Sequence, residues 1–136
     1  MSHAFKIGTL DHVAIRVQDF DRSIAWYEKV LGLTPLRTEK WGDYPVFLLS
    51  GTTGIALFPE SASTEHIQSD IDHFAFTVSN EDFLLSRKHY DALEIPYEIK
   101  DHHYFHSIYT QDPDGHKVEL TTLVVPAESF YGTKEI

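Results

Sequence analysis

The sequence predicts an α+β protein built from two copies of one βαβββ unit, and three observations lead there. The heptad Asp11-His-Val-Ala-Ile-Arg-Val17 returns as Asp72-His-Phe-Ala-Phe-Thr-Val78, 61 residues on, with four of seven positions identical; self-similarity of this kind marks a duplicated unit. Both heptads alternate apolar and polar residues, the pattern of a half-buried strand. Each is then followed by a polar break, a helix-period stretch and three short strand-like segments. With 136 residues and 42% hydrophobic content, the chain has the size of a single domain over 1–136 and can bury a core without staples.

Taken in order, residues 9–17 place Val13, Ile15 and Val17 on one face and His12, Ala14 and Arg16 on the other. Asp19 or Asp21 caps a helix reaching about Leu31, whose stripe is Phe20, Ile24, Tyr27 and Leu31, and Gly32 supplies the stop. Strands follow at about 34–41, 44–50 and 54–59, the last two joined by the turn Gly51-Thr-Thr-Gly54. Module 1 thus spans about 9–59, and residues 60–70 form the linker. Module 2, about 71–123, opens with Phe74, Phe76 and Val78 on its apolar face and His73, Ala75 and Thr77 opposite. Its helix follows Ser79-Asn80, with Phe83, Tyr90 and Leu93 as the stripe and Pro96 as the end. Strands at about 96–101, 105–111 and 116–123 complete it, with Asp112-Pro-Asp-Gly115 turning between the last two. The tail, 124–136, carries Phe130 and Tyr131, which suit docking on the body or on a partner.

Composition removes several classes of function. The absence of cysteine excludes thiol catalysis by the chain itself, disulfide frameworks and cysteine-ligated metals, leaving His, Asp and Glu as ligands. A net charge of -10, from 21 acidic and 11 basic residues, opposes a phosphate backbone, so no nucleic-acid partner is expected. The opening MSHAFKIGTL has neither a signal-peptide h-region nor a transit pattern, and no apolar run suits a membrane span; the expected compartment is the cytoplasm.

The faces that avoid the core carry the chemistry. His12 and His73 occupy the same place in both copies. Glu119, on the last strand with Lys117 and Thr121, alternates with Val118 and Leu120 and so also points away from the apolar face. Two imidazoles and one carboxylate make the facial set that suits Fe(II) or Mn(II), with Zn(II) or Ni(II) as alternatives, and leave positions open for substrate.

These motifs, together with the helix text Ser23-Ile-Ala-Trp-Tyr-Glu-Lys-Val-Leu-Gly-Leu33 and the run Tyr109-Thr-Gln-Asp-Pro-Asp-Gly-His-Lys-Val-Glu119, resemble the vicinal oxygen chelate superfamily over residues 9–123. That superfamily includes glyoxalase I, extradiol catechol dioxygenases, fosfomycin-modifying thiol transferases, methylmalonyl-CoA epimerases and bleomycin-resistance proteins. The resemblance implies paired βαβββ modules forming a cupped mixed sheet, the glyoxalase/bleomycin resistance/dioxygenase fold, around a divalent metal that polarises two neighbouring substrate oxygens. Its single-domain members commonly form homodimers, sometimes with ligands drawn from two chains, and a C2 dimer is expected.

Glyoxalase I-like and epimerase-like members carry a fourth ligand where this chain offers Ala56, which leaves a lactoylglutathione lyase-like activity as a lesser alternative. His102-x5-Ile108-Tyr109-x2-Asp112-Pro-x-Gly-x3-Glu119 resembles the extradiol signature, with Lys100 in place of its small residue. In that reading Tyr109 hydrogen-bonds a metal-bound substrate oxygen and His102 stabilises or shuttles a proton; Thr53-Gly54 stand where those enzymes carry an acid–base histidine. Extradiol ring cleavage is the leading reading. The thiol transferases rank second, since Ala14 replaces their phosphonate-binding threonine and Leu120 to Ala127 is uncharged, leaving Arg16, Lys100 and Lys117 as cations for an anionic substrate. A third reading is a metal-free, drug-binding protein whose pocket is lined by Trp26, Trp41, Tyr44, Phe58, Tyr104 and Phe105.

Overall fold

Alternating apolar faces need a helix to cover them, and each module supplies one. The computed structural model of the chain describes residue 4 and residues 8–60 and 71–131. Its elements run β1 His12–Val17, α1 Phe20–Leu31, β2 Thr34–Leu36, a 3-10 turn Glu39–Trp41, β3 Val46–Ser50 and β4 Thr53–Pro59, then β5 His73–Thr77, α2 Asn80–Ala92, β6 Glu98–Asp101, β7 Phe105–Gln111, β8 Lys117–Leu123 and α3 Ala127–Tyr131. Two βαβββ modules are thus present, and the chain separates into two compact units, 1–65 and 66–136. The linker expected at 60–70 lies outside the described residues except for Glu60, as does the end of the tail, 132–136.

Each unit is a four-stranded mixed sheet, ordered β1-β4-β3-β2 in the first and β5-β8-β7-β6 in the second. In both, the first and last strands run parallel and the remaining pairs are antiparallel. In unit 1 the pairs Val13↔Ile55, Ile15↔Leu57, Leu48↔Ile55 and Val46↔Leu57 align the apolar side chains on one face. There Ile15, Val17, Val46, Leu48, Ile55 and Leu57 are buried with Tyr27 and Val30 of α1. Burying such side chains contributes about 1.5–3 kcal/mol each. In unit 2 the same service is done by Phe83 and Tyr90 of α2 and by Ile108, Val118 and Leu120.

Local signals set the helix ends. The Asp19 carboxylate accepts from Arg22 N–H at 3.0 Å, and Ser79 Oγ accepts from Asp82 N–H at 3.0 Å, each satisfying an amide that a first helical turn leaves unpaired. Gly32 closes α1 in the left-handed region at φ 68°.

Two expected elements end earlier in the structure. The strand expected to reach 41 stops at Leu36, because the Thr38 side chain accepts from Lys40 N–H and starts a 3-10 turn that ends at Gly42. The second helix stops at Ala92, ahead of Pro96; Glu94 takes φ 57° and Ile95 N–H bonds to the Tyr90 carbonyl. The docking of the tail is on the body: Phe130 of α3 lies 5.3 Å from the Tyr104 ring and 4.8 Å from that of Phe105.

Candidate metal-binding site

The non-core face of unit 2 assembles most of the residues singled out from the sequence. Its register puts Ala75, Glu119 and Tyr109 side by side across β5, β8 and β7. Successive residues of one parity share a face, so His73, two positions before Ala75, lies diagonal to Glu119. The small Ala75 leaves room between them, and His73 Nε2 stands 3.0 Å from Glu119 Oε1. The other ring nitrogen, Nδ1, meets Asp72 Oδ1 at 2.6 Å. That bond, with the charge of Lys117 nearby, holds the Asp72 carboxyl below the usual carboxylate range.

Glu119 is buried, and its second oxygen is also occupied, since Ser107 donates its hydroxyl to Oε2 at 2.7 Å. Ser107 in turn shares a hydrogen bond with the Thr121 hydroxyl at 3.0 Å.

Tyr109 is the hub beside this pair. Its ring meets His73 edge-on at 5.9 Å, and its hydroxyl is hydrogen-bonded to His102 Nε2 at 2.8 Å. Lys100 Nζ and Lys117 Nζ lie over the ring, 5.5 and 5.7 Å from its centroid. Burial and the neighbouring Glu119 charge push the Tyr109 phenol up, which keeps it a neutral hydrogen-bond donor at physiological pH.

In unit 1, His12 repeats the local arrangement of His73. Its Nδ1 meets Asp11 Oδ2 at 2.8 Å and its ring packs 4.9 Å from Phe47, which itself contacts Trp41 at 5.3 Å. The residue facing Ala14 across the parallel pair is Ala56, just as Glu119 faces Ala75 in unit 2. The register therefore bears out the reading that module 1 offers alanine where its twin offers a carboxylate.

Of the three ligands expected from the sequence, the structure brings His73 and Glu119 together, and His12 stands within its own unit. Among the described residues no group of three or more His, Cys, Asp or Glu side chains is gathered to hold an ion by itself. Of the two expected catalytic residues, Tyr109 and His102 are in contact. Sequence reasoning missed Ser107, whose only signal was a small hydroxyl side chain two positions before Tyr109, on the same face of an otherwise bulky strand. It also gave no role to Asp11 and Asp72, although each precedes its histidine in both copies.

The donor set fits a divalent metal. A neutral imidazole has one N–H and cannot donate to two carboxylates; with Nδ1 on Asp72, Nε2 and Glu119 Oε1 meet as two donors suited to sharing a cation. A separation of 3.0 Å also matches adjacent donors on an octahedral ion with bonds of about 2.1 Å. Each histidine has its Nδ1 fixed by a carboxylate, the outer-shell partner that metal-ligating imidazoles usually have.

Residues 9–120 match the model of the Glyoxalase/Bleomycin resistance protein/Dioxygenase superfamily, and the chain belongs to that superfamily. It is 34% identical over 124 residues to a metallothiol transferase FosB of Staphylococcus epidermidis, covering 86% of this chain and 83% of that one. It is 30% identical over 117 residues to a glutathione transferase FosA of Serratia marcescens, covering 84% and 80% respectively. Its fold is that of a putative glyoxalase family protein from Bacillus anthracis, with a TM-score of 0.72 at 17% identity over 89% of this chain and 99% of that one. These relatives favour the thiol-transferase alternative over ring cleavage as the particular activity. Among the described residues no helix is long and apolar enough to cross a membrane.

Proposed function

We propose that the protein is a divalent-metal-dependent transferase that joins a small thiol to an electrophilic, anionic substrate, with His12, His73 and Glu119 as the metal ligands. The observation that carries this reading is the His73 Nε2–Glu119 Oε1 pair at 3.0 Å, backed by Asp72 and repeated on the imidazole side by Asp11–His12. Similarity to a metallothiol transferase supports the reaction class. The ligands come from one chain, or from two chains of a C2 homodimer. The ion is Mn(II), Fe(II), Zn(II) or Ni(II), all of which suit two imidazoles and a carboxylate.

Bound there, the metal supplies Lewis-acid polarisation of a substrate oxygen. The chain's own residues do the rest. The Tyr109 phenol donates a hydrogen bond to an oxygen of the substrate, and His102, on the phenol oxygen at 2.8 Å, holds or passes on its proton. Lys100 and Lys117, stacked on the Tyr109 ring, offset the negative charge of the substrate. The chain has no cysteine, so the thiol is a co-substrate.

The test is turnover of fosfomycin with glutathione or cysteine by protein loaded with each of the four ions. A thiol adduct formed only with metal supports the reading, and metal uptake without any adduct sinks it. Ring cleavage is the second reading, favoured by the His102–Tyr109 contact; catechol consumed with oxygen in the same screen would select it. A protein that takes up no metal belongs with the drug-binding members.

A further inference from the structure

The geometry points to Ser107 as the positioning residue that fixes Glu119 for one-oxygen ligation. This inference rests on the metal site proposed above. Glu119 has two oxygens, and the structure divides them: Oε2 accepts from Ser107 Oγ at 2.7 Å, and Oε1 faces His73 Nε2 at 3.0 Å. A carboxylate free to rotate about its last bond exchanges its oxygens and can close on an ion with both. Here rotation would break a hydrogen bond to a charged acceptor in a buried place, which contributes more than a neutral one.

Ser107 is itself immobilised. It is fully buried, and its oxygen contacts the Thr121 hydroxyl at 3.0 Å. With the Ser107 proton spent on Glu119, the Thr121 hydroxyl donates to Ser107, so the three side chains form one directed chain that ends on the carboxylate. The register explains why they meet: Ser107 pairs with Thr121 and Tyr109 with Glu119 on neighbouring strands, with all four side chains on one face. Burial of the hydroxyl keeps water from substituting for it.

The experiment is titration of Mn(II) alone into the metal-free full-length protein by calorimetry, for wild type and for Ser107→Ala, Ser107→Cys and Ser107→Thr. Loss of an outer-shell partner weakens metal affinity about 10- to 100-fold, and that is the result expected for Ser107→Ala. Ser107→Thr keeps the hydroxyl and restores most of the affinity. Ser107→Cys, close in size but a weak donor, falls between and carries the same prediction if the alanine variant does not fold. In the metal-free protein, the infrared carboxylate stretch assigned by Glu119→Gln shifts in Ser107→Ala, whereas a side chain that only packs would lower Tm and move neither signal. Wild-type Mn(II) affinity in a folded Ser107→Ala variant overturns the positioning role while leaving the metal site standing. Failure of the wild type to bind Mn(II), or binding unchanged by Glu119→Gln, overturns the site and this role with it.

Discussion

The two modules are alike around their histidines and unlike around their last strands. In both, an aspartate immediately before the histidine takes its Nδ1, at 2.8 Å in unit 1 and 2.6 Å in unit 2. The strand beside them then diverges. His12 faces Gly54 and Ala14 faces Ala56, whereas His73 faces Lys117 and Ala75 faces Glu119. A Cβ on Gly54 would lie 2.0 Å from the Leu48 carbonyl oxygen, and Ala56 is fully buried. Each half thus keeps an imidazole at the matching position, and the second half adds the Glu119 carboxylate with Tyr109, Lys100 and Lys117 beside it. The same crowding bears on the choice of reaction, since the start of β4, where an extradiol enzyme carries its acid–base histidine, has no space for a side chain at Gly54.

The largest effect expected from breaking this asymmetry is on metal affinity. Glu119→Ala and His73→Ala remove ligands outright, and each should weaken Mn(II) binding by more than about 100-fold, beyond the 10- to 100-fold typical of an outer partner. Calorimetric titration checks it, and equal binding by Glu119→Ala and wild type would contradict the assignment.

Next in size is a contrast in stability at equivalent positions. Gly54→Ala forces backbone apart and should cost about 3 kcal/mol, while Lys117→Ala, half-buried in the matching pair, loses its cation–π contact with Tyr109 and should cost about 0.5–1 kcal/mol. Urea unfolding of the two variants measures the difference.

A pH effect of similar size belongs to unit 2. Burial pushes the Tyr90 phenol up to about 12. The unfolded chain loses this proton near pH 10, before the folded one does, so stability is full below pH 10 and falls as pH rises toward 12. The loss should reach about 2 to 3 kcal/mol, and Tyr90→Phe should remove this part of the alkaline slope in urea unfolding followed from pH 9 to 12.

The smallest effect tests what the modules share. Asp11→Asn and Asp72→Asn each exchange the carboxylate that orients a histidine, and each should weaken Mn(II) binding about 10-fold. Unequal losses would show that the two Asp–His pairs, similar as they are, do different work.

Much of this was legible before any coordinates. The repeat at Asp11 and Asp72 announced the duplication, and strand alternation told which face His12, His73 and Glu119 would avoid. The helix ends were readable because their signals act within a few residues: Asp19 or Asp21 for the first cap, where the structure selects Asp19, Ser79-Asn80 before the second helix, and the stop at Gly32. What failed to show was whatever depends on register between strands or on competition at an element's end. The Ser107–Glu119 bond joins residues twelve positions apart in sequence, brought together by the β7–β8 pairing. Stacking of Lys100 and Lys117 on Tyr109 has the same origin. The early end of β2 is a local contest, in which the Thr38 hydroxyl diverts the backbone into a turn before the strand can extend.

The proposed ligand set is His12 and His73, from one chain or from two, with the Glu119 carboxylate. Pulsed electron paramagnetic resonance of Mn(II)-loaded protein counts the coordinated imidazole nitrogens directly. Two are expected in the wild type, one in His12→Ala and one in His73→Ala. A single imidazole in the wild type, or two in His12→Ala, would contradict that set.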